Sequence, residues 1–278
     1  MSCPTFPDIT DRVATVRHVP LPLPRSSVVV LGATLTIAGL LSPASASVPA
    51  VQTQAPRTMV ALGDSVPSGA VCQCLSFPYV YARYVTARTG VRRRVFDEAR
   101  SGETSTTMLA QLRTRAVRQA IRSALTVIIM VGANDYAPAF AADLRGSCTG
   151  SACYRSVRRT MQANVAAAIA QVKALRSGHA IHIIVIGYWN VVKDGAVGRR
   201  AYGAAGLAKA RAATQDANLA LLATAQNTHT AYVSTRVALE GANNQKDPTP
   251  YLAADGDHPN ASGHRLIGEA VYARVPRG

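Results

Sequence analysis

The run Thr58-Met59-Val60-Ala61-Leu62, closed by Gly63-Asp64-Ser65, is the strongest constraint on how this chain can fold. Strand-forming apolar residues stop abruptly at a glycine and deliver a serine. In a doubly wound α/β sheet, ligands sit beyond the carboxyl ends of the strands, where loops carry reactive groups and the strands behind them stay rigid. Ser65 is therefore a candidate nucleophile. A serine hydroxyl is weak alone, so a base, an orienting acid and oxyanion donors must come from elsewhere in the chain.

The remainder alternates strand and helix. Leu125 to Val131 is a continuous apolar run rich in β-branched residues, the signature of a central strand covered on both faces, and it ends at Gly132. Further strands are predicted over about 57–62, 93–96, 181–186 and 230–233. Helices are predicted over about 78–89, 104–123, 154–177, 203–226 and 261–273. In the 104–123 segment Met108, Leu109, Leu112, Val117 and Ile121 form an apolar stripe opposite the arginines. This alternation predicts a parallel sheet of about five strands with right-handed crossovers, in a three-layer α/β/α sandwich. With 278 residues, 48% of them hydrophobic, one large domain over 57–278 has ample core.

The first 46 residues stand apart. Val28 to Leu41 is apolar, follows Arg12, Arg17 and Arg25, and precedes Ala44-Ser45-Ala46, a small-residue cleavage pattern. This reads as a secretory signal peptide over 1–46; the stretch is shorter than the roughly 20 residues that span a bilayer. The basic region before it is long for a signal, which fits a start codon further downstream. Residues 47–56 read as a short leader.

Export agrees with the cysteines. Beyond the signal the chain keeps Cys72, Cys74, Cys148 and Cys153, an even set suited to disulfides. Three pairings exist. The local one, Cys72 with Cys74 and Cys148 with Cys153, is the expectation; a bridge between the two loops is the alternative, and a zinc site fits an oxidising compartment poorly. The net charge of +15 comes mainly from arginine, 26 Arg against 4 Lys. Aromatic residues are 5% and do not interleave with the basic runs, so nucleic acid is not expected as a partner. Solvated helix faces attracted to an anionic surface are the expectation.

Four features follow four different strands: Ser65; Gly102 in Ala99-Arg100-Ser101-Gly102; Asn134 in Gly132-Ala133-Asn134-Asp135; and Asp255-Gly256-Asp257-His258 before the last helix. An imidazole, with its ordinary pKa near 6.5, lets His258 take the Ser65 proton and return it to a leaving alcohol. Asp255 can orient the other ring nitrogen, with Asp257 as the less favourable alternative. The N–H groups of Ser65 and Gly102 and the amide of Asn134 can serve a developing oxyanion. A nucleophile elbow of the α/β-hydrolase kind is excluded, since Pro67 stands where it requires glycine.

In this order the motifs resemble the SGNH, or GDSL, hydrolase family, whose four blocks match at Gly63-Asp64-Ser65, Gly102, Gly132-x-Asn134-Asp135 and Asp255-x-x-His258. Ser101, not asparagine, stands beside Gly102. The resemblance spans roughly 57–275 and implies a flavodoxin-like sandwich and ester hydrolysis through an acyl-enzyme. It implies Ser65, Asp255 and His258 as the triad, and Ser65, Gly102 and Asn134 as the oxyanion hole. No metal or cofactor is expected, and a monomer is. The leading expectation is a secreted esterase or lipase acting on lipid or acylated small molecules; a carbohydrate or cell-wall O-acetylesterase and a binding module without activity are the alternatives. Tyr188 and Trp189, in the connection after the fourth strand, are candidates for a pocket wall, with Trp189 as a core cap the competing reading. The run 234–254 is expected to form the opposite rim. His179, His182, His229 and His264 are expected to be structural.

Overall fold

The structure is a computed structural model and describes residues 57–275. The expected signal peptide and leader lie outside the described residues.

Five strands, β1 (Arg57–Gly63), β2 (Arg93–Asp97), β3 (Ala124–Met130), β4 (His182–Gly187) and β5 (Ala231–Ser234), form one parallel sheet in the order β2-β1-β3-β4-β5. This is the flavodoxin-like order, which reverses direction next to β1 and so opens a crevice there. β1 and β3 sit at the centre, and Val60, Leu62, Ile128 and Ile129 are fully buried, as their unbroken apolar runs require. Two helical layers cover the sheet. On one, α2 (Phe77–Thr89) packs on α9 (Ala261–Arg274); on the other, α6 (Ser151–Leu175) packs against α3 (Ser105–Gln111), α4 (Arg115–Ser123), α5 (Ala133–Leu144) and α7 (Gly195–Asn227). The short α1 (Ser65–Ser68) follows β1 directly, and α8 (Arg236–Glu240) follows β5.

Three expectations change. The single helix over 104–123 is two, α3 and α4, broken after Gln111. Its buried residues Met108, Leu112, Val117 and Ile121 advance by four, five and four positions, and the step of five takes Val117 out of phase with a continuous 3.6-residue stripe. The chain restores phase by turning at Leu112 to Thr114. Next, α5 occupies a segment where no helix is predicted, because Pro138 interrupts the helical spacing of Tyr136, Phe140 and Leu144. Finally, α7 begins at Gly195, not near 203, and changes direction at Gly203, whose φ of 65° is left-handed.

The cysteines pair locally, Cys72 with Cys74 and Cys148 with Cys153, with Cα atoms 5.1 and 5.5 Å apart. The first bridge sits in the loop after α1 and the second links the turn after α5 to the start of α6. Cys72 and Cys74 also lie beside His264, but they are bonded to one another. The His264 Nδ1 accepts the Phe77 N–H at 3.2 Å, which leaves its proton on Nε2, so this trio is not arranged as a metal site.

Gly63 is the tightest point of the sheet. Its φ is +131°, and a Cβ there would fall 1.8 Å from the Met130 carbonyl oxygen. Gly63→Ala is expected to cost at least about 2 kcal/mol, roughly 4–8 °C in melting temperature. An unchanged thermal melt would mean that the β1–β3 contact is looser than described.

Candidate active site

The expected site residues converge at the carboxyl edge of the sheet. β1 ends at Gly63, and Asp64 caps α1 by accepting the Val66 N–H at 3.0 Å. Ser65 is the first residue of that helix, so its N–H has no acceptor within the helix. The His258 Nε2 lies 2.8 Å from the Ser65 Oγ, and the His258 Nδ1 lies 2.6 Å from the Asp255 Oδ2. The Asp255 Oδ1 also accepts the N–H groups of Asp257 and His258, at 3.0 and 3.1 Å. Burial pushes the Asp255 carboxyl up, but these two N–H groups and the imidazole outweigh it and hold it below the usual range. Asp257 lines the same cavity without a hydrogen bond to His258, so Asp255 is the contact.

Gly102 and Asn134 line this cavity together with Ser65. Two contacts join their loops. The Asn134 Nδ2 donates to the Glu103 carbonyl at 2.9 Å, which uses one of its two N–H groups. Asp135 accepts from the Ser105 N–H at 2.8 Å and from the Ser105 hydroxyl at 2.6 Å. Asp135 thereby clamps the loop of Gly102 to the first turn of α5. In the sequence Asp135 stands within the Gly132-x-Asn134-Asp135 motif with no task of its own; Ser105, as the first residue of a helix, is the available signal. Gly102 has φ +78° and no atom within 4 Å of where a Cβ would stand, so its backbone faces open space.

Asp64 has a role that its place in the Gly63-Asp64-Ser65 motif does not reveal. It is 1% exposed, and the Tyr188 hydroxyl donates to its Oδ2. Burial pushes the Asp64 carboxyl up to about 7 against the opposing pull of Tyr188 and the Val66 N–H. Burial also raises Tyr188 well above its ordinary value, so the phenol keeps its proton and acts as donor. Tyr188 is held in turn by Asn218, which accepts its N–H at 2.8 Å and donates to its carbonyl at 2.7 Å.

The cavity measures about 450 Å³, and one wall is apolar: Ala137, Phe140, Ala141 and Leu144 of α5, facing Val191 and Val192. Tyr188 contributes to the lining, but Trp189 does not. Trp189 is 1% exposed within the core, so it caps the core instead of walling the site. None of the lining comes from 234–254, which corrects the expected rim.

A family model for GDSL-like lipases and acylhydrolases matches residues 61–266. The chain belongs to that family. Solved structures agree in fold at low identity. A lipase from a goat rumen metagenome matches with TM-score 0.66 and 16% identity, over 78% of this chain and 96% of its own. An extracellular lipase from Streptomyces rimosus gives 0.57 and 21%, over 78% and 99%. A catalytic mutant of an acetylxylan esterase from Geobacillus stearothermophilus gives 0.55 and 18%, over 78% and 93%. No curated protein sequence matches. For this GDSL-family chain, ester hydrolysis is the activity at family level.

The Asp64 carboxyl yields a pH prediction. Unfolded it titrates near 3.8 and folded near about 7, so the native state holds an extra proton between those values. Its contribution to stability is full below the lower value and is lost as pH rises through the upper one. Asp64→Asn keeps one oxygen to accept the Val66 N–H, turns the contact with the Tyr188 oxygen into one its amide can donate, and cannot ionise. It is expected to melt above the parent at pH 8, with the gap closing by pH 4; an equal gap at both pH values overturns this assignment.

Proposed function

We propose that the protein is a serine esterase or lipase, exported by the signal peptide at 1–46 and working through an acyl-enzyme on Ser65. The observation that carries this reading is the continuous contact from the Ser65 Oγ through the His258 imidazole to Asp255, with steps of 2.8 and 2.6 Å. The two local disulfide pairs support export.

In the reaction, the Ser65 Oγ attacks the acyl carbon while its proton passes to the His258 Nε2. Asp255 accepts the Nδ1–H and stabilises the imidazolium. The carbonyl oxygen, now negative, takes hydrogen bonds from the N–H groups of Ser65 and Gly102 and from the free N–H of Asn134. His258 then gives its proton to the alcohol oxygen, and the acyl–oxygen bond breaks. Water adds to the acyl-enzyme, loses its proton to His258, and releases the acid as Ser65 regains its hydrogen. No metal or cofactor is needed. The apolar wall of α5 suits an acyl chain, which favours chains longer than acetyl; the acetylxylan esterase of similar fold motivates testing acetate beside them.

Hydrolysis of p-nitrophenyl esters from acetate to palmitate tests the reading. Ser65→Ala is expected to reduce turnover by at least about 1000-fold. Activity untouched by the substitution would remove Ser65 from the chemistry, and activity confined to acetate would move the assignment to an O-acetylesterase. Asn134→Ala is expected to lower kcat by about 100- to 1000-fold with little change in KM, because its donor acts on charge that exists only in the transition state. A change in KM alone would make Asn134 a binding residue.

A further inference from the structure

We propose a second binding site at the opposite end of the sheet, for a short-tailed anionic amphiphile whose carboxylate or phosphate is held by Arg57, Arg88 and Arg93. The cavity there measures about 200 Å³ and is walled by the first residues of β1, β2, β3 and β4 together with the ends of α2 and α9. The pockets of drug-sized ligands run to roughly 300–1,000 Å³, so this smaller one suits a ligand of fewer atoms, such as a short-chain acid. Because β1 is seven residues long, the cavity lies roughly 20 Å from Ser65.

Its lining is divided. Met59, Val85, Leu125 and Val275 supply an apolar surface, and Met59 and Val275 are buried. Arg57, Arg88 and Arg93 supply the charge, and no aspartate or glutamate lines the cavity. None of the six ion pairs among the described residues uses these three arginines. The Arg93 Nη1 is buried and has no hydrogen-bond partner. Arg93 as a whole is half-buried and Arg57 and Arg88 are exposed, so an anion in the cavity meets the accessible edges of these guanidinium groups and offsets their mutual repulsion. The carboxyl ends of α2 and α9 face the same end and bring about half a negative charge each, which three guanidinium groups outweigh.

Burial, reinforced by the charge of Arg57, lowers the affinity of Arg93 for its own proton, in line with this crowding of like charge. A fixed anionic head and a short apolar tail meet both halves of the lining. Inorganic phosphate would use only the basic half, and a neutral alcohol only the apolar half. The acid released by an ester hydrolase belongs to this class, although the site stands on its own residues and does not depend on the proposed function.

The test is calorimetric titration of the full chain carrying Ser65→Ala with hexanoate, hexyl phosphate, hexanol and inorganic phosphate. Hexanoate or hexyl phosphate is expected to bind at least about 10-fold more tightly than hexanol or inorganic phosphate, and the better of the two identifies the headgroup. Arg93→Met is expected to weaken that binding at least 10-fold and, without ligand, to melt no lower than the parent, since it removes one of three like charges and keeps an apolar stem of similar length. Arg88→Gln, on the exposed wall, is expected to weaken binding with no effect on folding. Equal binding of hexanol, no binding of either anion, or binding unchanged in both variants overturns the site; the last result would put the probe in the cavity beside residue 65.

Discussion

The buried Asp64 carboxyl is the contact on which the carboxyl edge of the sheet depends. One of its oxygens accepts the Val66 N–H and sets the direction of α1; the other accepts the Tyr188 hydroxyl and ties the end of β1 to the residue that follows β4. The Asp64 N–H itself donates to the Met130 carbonyl at the end of β3. One residue therefore joins the ends of three adjacent strands and presents the next residue, Ser65, to His258. Its cost is that a carboxyl without solvent resists ionisation at neutral pH, and the structure tolerates this because every oxygen has a donor.

The same edge is built from segments distant in sequence, each held by a contact that fixes a backbone position. The Asp135–Ser105 pair sets Gly102 against the start of α5, and the Asn134 amide adds a bond to the Glu103 carbonyl. Gly63 and Gly132, with φ of +131° and +141°, let the chain leave β1 and β3 where any side chain would meet the neighbouring strand or Met161. At the far end of the sheet lie arginines with no acidic partner among the described residues, so the two ends of the same strands differ in chemistry: a serine, a histidine and an aspartate in contact at one, clustered positive charge at the other.

Much of this was legible in the sequence, for physical reasons. β1 and β3 are buried on both faces, so their composition alone declares them, and motifs placed at strand ends had to meet because a parallel sheet gathers its carboxyl ends. The parts that did not read depend on tertiary context. The α3–α4 break was written in the five-residue step between Leu112 and Val117, a phase error easily absorbed into a longer stripe. α5 spaces Tyr136, Phe140 and Leu144 as a helix does, but the proline between the first two argues against a helix until packing is known. Trp189 and Tyr188 are both buried in the core, but only Tyr188 also reaches Asp64 and the cavity, and nothing in a dipeptide distinguishes them. The tasks of Asp64 and Asp135 were invisible because each is defined by a partner far along the chain.

The central claim is that Ser65 is a nucleophile activated by His258. The most direct measurement is covalent labelling with a p-nitrophenyl alkylphosphonate, followed by p-nitrophenolate release and peptide mass spectrometry. The account predicts one adduct, on Ser65, formed at least about 100-fold more slowly in His258→Ala. An enzyme that hydrolyses esters while Ser65 stays unlabelled, or that labels Ser65 equally fast without His258, would contradict it.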